Sequence, residues 1–161
     1  MEVCLLTKRI VYISLVLIWL IIIFSLSSEV GKKSDIKSKT IVNLIYEKSD
    51  IIEIDNITKK ELNYYVRKLG HVLEYFILTI FILGLLKALN IDIKYKYGLA
   101  YFISTTCAIL DEYNQTFVIG RDGRITDIFI DNLGIVSALV IVSIFHLLQR
   151  TIKWKTKGGE L

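Results

Sequence analysis

The chain has 161 residues, 53% of them hydrophobic and 22% charged, with a formal net charge of +4. That length would suit one soluble domain, but the apolar residues fall in long blocks, the compositional mark of a membrane protein. The basic excess lies in loops and tails beside those blocks, which membrane topology explains better than nucleic-acid binding.

The first apolar block runs from Ile10 to Leu26 behind Lys8 and Arg9. At about 17 residues it is at the short end for a spanning helix. The basic pair, the apolar stretch and Ser25-Leu26-Ser27 also fit a cleaved signal peptide, and in either case the following residues start outside. Residues 1–9 are then a cytoplasmic amino terminus and 10–26 a first span or signal anchor. Residues 27–69 form a polar outer segment with interleaved Lys, Asp and Glu. Thr40 to Tyr46 and Ile51 to Ile57 carry scattered apolar positions, and Thr58-x-x-Glu61 has capping-box spacing. One or two short helices at the membrane surface are expected there. The segment carries more Lys and Arg than an outer loop usually does, which runs against the orientation rule.

The remaining blocks are Gly70 to Leu89, Tyr97 to Leu110 with a polar continuation, and Ile128 to Leu148. Proline is absent, so no span carries a proline kink. Lys87, Lys94 and Lys96 flank the short loop between the second and third blocks, and Arg150, Lys153, Lys155 and Lys157 follow the fourth. With Lys8 and Arg9 these basic groups mark the inner side, where Tyr95 and Trp154 would sit at the interface. The fold expected is an all-α membrane protein: four transmembrane helices, both termini cytoplasmic, a polar outer segment between the first and second spans, a three-span core over 70–149 and a basic tail over 150–161.

This topology carries three polar clusters to the outer side. A rise of 1.5 Å per residue and a core of ~30 Å place Glu74 roughly 6 Å below the outer boundary. By the same count Asp111 lies about 21 Å out from Tyr97, and Asp131 about 26 Å from Leu148. Ionisable groups at such depth cost on the order of 2.5–3.5 kcal/mol each, so they pair with one another, serve a function, or both.

On the second span Arg67, His71 and Glu74 share a helical face. His71 is a candidate proton-transfer group, or one half of a structural pair with Glu74. Tyr75 either supports this network or is an interfacial aromatic, like Tyr64 and Tyr65. On the third span Asp111 and Gln115 share a face, with Glu112 turned about 100° away. Gly120-Arg121-Asp122-Gly123-Arg124 forms an outer turn in which Arg121 offers a planar fork for phosphate or carboxylate. Asp127 and Asp131 then stand on one face of the fourth span with Asn132 beside them, and Gly134 is a place for another helix to approach. Acids and bases here nearly balance, so a mutually neutralising network that only locks helices is an alternative to a working site. Two cysteines, Cys4 and Cys107, make no disulfide framework, and Cys/His metal spacing is absent.

In this order and spacing the clusters resemble the VanZ-like family of small bacterial membrane proteins, over Tyr65 to Ala138. The matching residues are Arg67-Lys68, His71, Glu74-Tyr75, Asp111-Glu112, Gln115, Phe117, Gly120-Arg121, Asp127, Asp131 and Gly134. Ile119 stands where the family commonly has proline. The resemblance implies the bacterial cell membrane and a link to teicoplanin-type glycopeptide resistance. Some members carry a phosphotransbutyrylase label, which no phosphate-cradling glycine loop in this chain supports.

The leading expectation is a membrane factor whose outer pocket binds an anionic lipid or a lipid-linked cell-wall precursor. Arg67, Lys68, Gln115 and Arg121 would contact the ligand, supported by Tyr75, Glu112, Asp127, Asp131 and Asn132. The alternatives are an intramembrane enzyme with His71, Glu74 and Asp111 as acid–base groups, and a structural subunit of a membrane complex. No cofactor, metal or nucleic acid is expected, and the oligomeric state is left open.

Overall fold

The computed structural model describes residues 2–47 and 58–157. Within them the chain forms five helices and no strand: α1 (Glu2–Ser27), α2 (Gly31–Glu47), α3 (Lys59–Ala88), α4 (Ile93–Gln115) and α5 (Ile125–Lys157). Three are long and apolar enough to cross a membrane, over Val3–Ser27, Lys59–Ala88 and Ile125–Ile152. The expected third span corresponds to α4. Its 23 residues give it the length, but Lys94, Lys96, Asp111 and Glu112 dilute its apolar character.

Helices α1, α3, α4 and α5 are each longer than the apolar block that announced them, because hydropathy marks only the part of a helix fit for hydrocarbon. Helix α3 begins at a capping box: Glu61 N–H donates to Thr58 Oγ1 at 3.3 Å, and Thr58 N–H to Glu61 Oε2 at 2.9 Å. The box therefore opens the second long helix and not a surface helix. Only α2 is a separate helix between α1 and α3 among the described residues, and Ile51–Ile57 lie outside them. Helix α3 ends where Asn90 turns left-handed at φ 59°, and Asp92 caps α4 by accepting from Lys94 N–H at 3.0 Å. The basic tail continues α5 as helix to Lys157, while the side chain of Trp154 is not among those described.

Without proline, α3 and α5 run 30 and 33 residues unbroken. At about 1.5 Å per residue both exceed a ~30 Å hydrocarbon core, so each either tilts or projects at an end. Their mutual packing is the most extensive in the molecule. Gly134 makes it possible: a Cβ there would press on the Val72 carbonyl and lie 3.1 Å from Phe76 N. Tyr75, Leu78, Ile82, Leu83, Ala100 and Ile135 form the core between α3, α4 and α5. Helix α1 lies antiparallel to α3: Arg9 Nε donates to Ala88 O at 3.0 Å, and Trp19 Nε1 to Glu74 O at 2.9 Å. Outward, Ile21, Phe102, Phe129 and Leu133 are each about two-thirds exposed. Apolar surface on this scale calls for lipid or a partner as its solvent.

Candidate functional site

The helix directions bring four helix ends together: the carboxyl ends of α1 and α4 and the amino-terminal parts of α3 and α5. Asn114 of α4 donates to Ser28 after α1 at 3.1 Å, and His71 of α3 meets Asp131 of α5. The three clusters read from the sequence therefore do converge at one end of the bundle. Glycines hold the periphery close. Gly31 N–H donates to Ile119 O at 3.2 Å, and a Cβ on Gly31 would collide with the Gly120 carbonyl. Gly120 itself sits at φ 77°, the left-handed region that glycine adopts without cost.

Lys68 forms an ion pair with Asp127, and its ammonium lies 5.3 Å from the Tyr64 ring centroid. His71 Nδ1 lies 3.1 Å from Asp131 Oδ1. This partner is Asp131, and not the Glu74 or Asp111 that the acid–base reading joined to it, because His71 projects toward α5. Gln115 Nε2 donates to Glu112 Oε1 at 2.9 Å and to Asp111 Oδ2 at 3.2 Å, drawing both carboxylates of α4 inward. Glu112 Oε2 also accepts from Arg124 N–H at 2.8 Å, and Glu112 is buried.

Arg121 is committed to the fold more than its loop position suggests. It donates from Nε to Glu29 O at 2.9 Å, from Nη2 to Leu26 O at 2.8 Å and from Nη1 to Gln115 Oε1 at 3.2 Å. A cation on the Leu26 carbonyl in the last turn of α1 is favourable both as a cap and toward the helix dipole. Desolvation in this position is the main influence lowering its pKa from the usual arginine value, while nearby acids oppose it. Arg67 is exposed and makes no hydrogen bond or ion pair among the described residues.

Two of the sequence assignments land elsewhere. Tyr75 is wholly buried in the core, with its hydroxyl donating to Cys107 O at 3.3 Å, and is not an interfacial aromatic. Asn132 cross-links α5 to α4 by accepting from Thr105 Oγ1 at 3.0 Å, and it lines neither cleft described next.

Two clefts open at this end, of about 170 and 300 Å³. Glu74 and Asp111 line the first, Lys68 and Asp127 the second, and Arg67, His71, Gln115 and Arg121 border both. Sequence reasoning missed the α2 side of the first cleft, where Ser34, Lys37 and Ser38 close it and Lys37 pairs with Glu29 at 2.6 Å. It also missed Ser27, which lies beside Asp111. Neither Ser27 Oγ nor Asp111 Oδ1 has a partner at hydrogen-bonding geometry among the described residues. These serines and this lysine, on α2 and at the end of α1, carry no spacing signal. His71, Glu112 and Asp131, from three different helices, bring donor atoms within 4.8 Å of one another and could hold a metal ion.

An all-helical bundle with three apolar spans and a buried polar cluster at one end defines a helical, membrane-type protein. The chain belongs to the VanZ/LLP1 family, whose model matches residues 11–146, from α1 well into α5. No curated protein and no solved structure matches the chain.

Proposed function

We propose that this is a four-span membrane protein whose polar end faces outward and receives the phosphate of an anionic lipid or lipid-linked cell-wall precursor. The observation that carries this reading is the shared border of the two clefts, where the unpaired Arg67 guanidinium stands beside Arg121 and His71. A planar guanidinium matches phosphate or carboxylate by paired hydrogen bonds. Arg121 has three donors committed to the protein, so Arg67 supplies the fork and Arg121 holds the cleft open.

The orientation is supported by the basic groups that directly flank the spans, while the Lys and Arg of residues 27–69 run against it. Arg9 meets Ala88 at the opposite end, next to Lys87 and the loop before Lys94, and basic groups beside spans collect on the cytoplasmic side. Helix α4 counts as a span because its acids at Asp111 and Glu112 are buried against the bundle while Phe102, Ile109 and Leu110 face outward. By family resemblance, a protein occupying lipid-linked precursors at the outer face would alter the access of teicoplanin-type drugs.

The test has two arms. In lipid nanodiscs analysed by native mass spectrometry, the protein should retain phosphatidylglycerol and undecaprenyl phosphate over phosphatidylcholine. We predict that Arg67→Gln weakens that retention roughly tenfold or more, the scale of a lost charged hydrogen bond. Inorganic phosphate as competitor distinguishes headgroup recognition from recognition of the whole lipid. Equal retention of zwitterionic and anionic lipids would sink the binding reading. Labelling of an introduced Asn114→Cys only after cell lysis would overturn the outward orientation.

A further inference from the structure

Several acids at the polar end have no fixed cation in contact with them, although Arg67 stands free at the cleft border. Lys68 is paired with Asp127, and Arg121 donates to two backbone carbonyls and an amide. Among the described residues no lysine or arginine lies within ion-pair distance of Glu74, Asp111, Glu112 or Asp131. Glu112 and Asp131 are nonetheless buried, Asp131 completely. Burying a carboxylate without a counter-charge is costly, and buried charges are paired or coordinate metals.

Two geometric facts say what is missing. Asp131 Oδ2 is buried and has no hydrogen-bond partner among the described residues, although Oδ1 of the same carboxylate meets His71 Nδ1 at 3.1 Å. Ligand atoms from His71, Glu112 and Asp131 all lie within 4.8 Å of one another. Two ligand atoms on one metal at about 2.1 Å stand roughly 3.0–3.4 Å apart, so the His71–Asp131 separation already suits a shared ion. The widest gap in the triad has to close by at most about 1–2 Å, a shift that small rotamer adjustments of the three side chains can share.

We propose that His71, Glu112 and Asp131 form a binding site for a divalent first-row transition-metal ion of the Zn²⁺ or Mn²⁺ class. One imidazole nitrogen with two carboxylates is a mixed donor set that suits such ions, whereas Mg²⁺ and Ca²⁺ favour oxygen alone. The surroundings are those of a supported ligand set. Gln115 and the Arg124 N–H each hydrogen-bond one oxygen of Glu112, holding it toward the triad while leaving lone pairs for a metal. Because the ligands come from α3, α4 and α5, a bound ion ties the three core helices together at the end where their charges are least compensated. Three protein ligands leave coordination positions open toward the clefts that His71 borders. The site stands on its own geometry and does not depend on the lipid-binding reading.

The test uses the full chain in phosphatidylcholine nanodiscs, which offer no anionic headgroup, so it reads the metal site apart from the lipid proposal. After chelator stripping, Mn²⁺ is titrated and followed by electron paramagnetic resonance. The expected result is saturation near one ion per chain, displaced by Zn²⁺ and resistant to excess Mg²⁺. Glu112→Gln and Asp131→Asn should each weaken binding by about 10–100-fold, as loss of a ligand or its support does, while exposed Asp122→Asn leaves it unchanged. The chain has only two histidines, and His146 bonds Tyr97 on the far side of the bundle. Bound Mn²⁺ should therefore broaden the nuclear magnetic resonance signal of His71 and spare that of His146, in wild-type protein whose fold is not in question. Absence of saturable binding, or saturable binding that broadens His146 or survives both substitutions, would overturn the proposal.

Discussion

Gly134→Ala probes the contact on which the polar end depends. A Cβ at Gly134 would lie 3.0 Å from the Val72 carbonyl carbon and 3.1 Å from Phe76 N, and closer still to the Val72 carbonyl oxygen. The obstacle is the backbone of α3, which cannot swing aside like the end of a side chain, so α3 and α5 must part by about 1 Å or more. Overpacking of this kind costs about 1–3 kcal/mol, and a rigid obstacle belongs in the upper part of that range. Alanine returns at most about 1 kcal/mol in helix propensity, leaving a net loss of about 1–2 kcal/mol. Asp131 is one turn before Gly134, and His71 adjoins Val72. Parting the helices there stretches the 3.1 Å His71–Asp131 contact beyond hydrogen-bonding range. Gly70→Ala is the matched control, because nothing lies within 4 Å of its Cβ position. It should raise stability by about 0.5–1 kcal/mol through backbone entropy alone. Thermal unfolding in detergent micelles, followed by circular dichroism, reads both variants. We predict a fall of roughly 2–8 °C for Gly134→Ala and a small rise for Gly70→Ala. Equal midpoints for the two would refute the claim that close backbone approach at Gly134 sets the α3–α5 geometry.

Two further outcomes follow from individual contacts. Arg121→Lys keeps the charge but cannot reach Glu29 O, Leu26 O and Gln115 Oε1 together, so it should cost about 1.5–3 kcal/mol in the same unfolding assay. Arg124→Lys, where the side chain meets only exposed Asp122 at 3.4 Å, should stay within about 0.5 kcal/mol, and equal tolerance of the two would show that Arg121 is merely solvated. Asp35 joins α2 to α3 by accepting from Asn63 Nδ2 at 2.8 Å, and hydrogen bonds from Lys39 first and Asn63 second hold its pKa below the usual 3.8. That contribution is complete above the ordinary carboxylate range and is lost as pH falls through the lowered folded value. Hydrogen exchange in α2 should therefore accelerate only below pH 3.8 in wild type, and Asp35→Asn should abolish that acid-dependent step; an unchanged step would assign it to another group.

What the sequence determined by itself was periodicity, hydropathy and order along the chain. These are local properties, so apolar blocks located the long helices, Thr58 and Glu61 marked a helix start, and Gly134 flagged a close approach. The ordered polar clusters pointed to the VanZ-like family, and antiparallel helices of similar length then had to bring those clusters to one end. Partner choice within the cluster needed the tertiary structure. His71 shares a helix face with Glu74, but its hydrogen-bonding partner is Asp131 on α5, 60 positions away. Periodicity cannot show this, because it fixes which way a residue faces and not what stands opposite. Arg121 reads as a free fork in a turn until the end of α1 is placed beneath it, and Tyr75 as either network support or an interfacial aromatic until α4 covers it. The donor set of His71, Glu112 and Asp131 has no sequence spacing at all. Three helices each contribute one group, and only the packing of α3 against α4 and α5 brings those groups within a few ångströms.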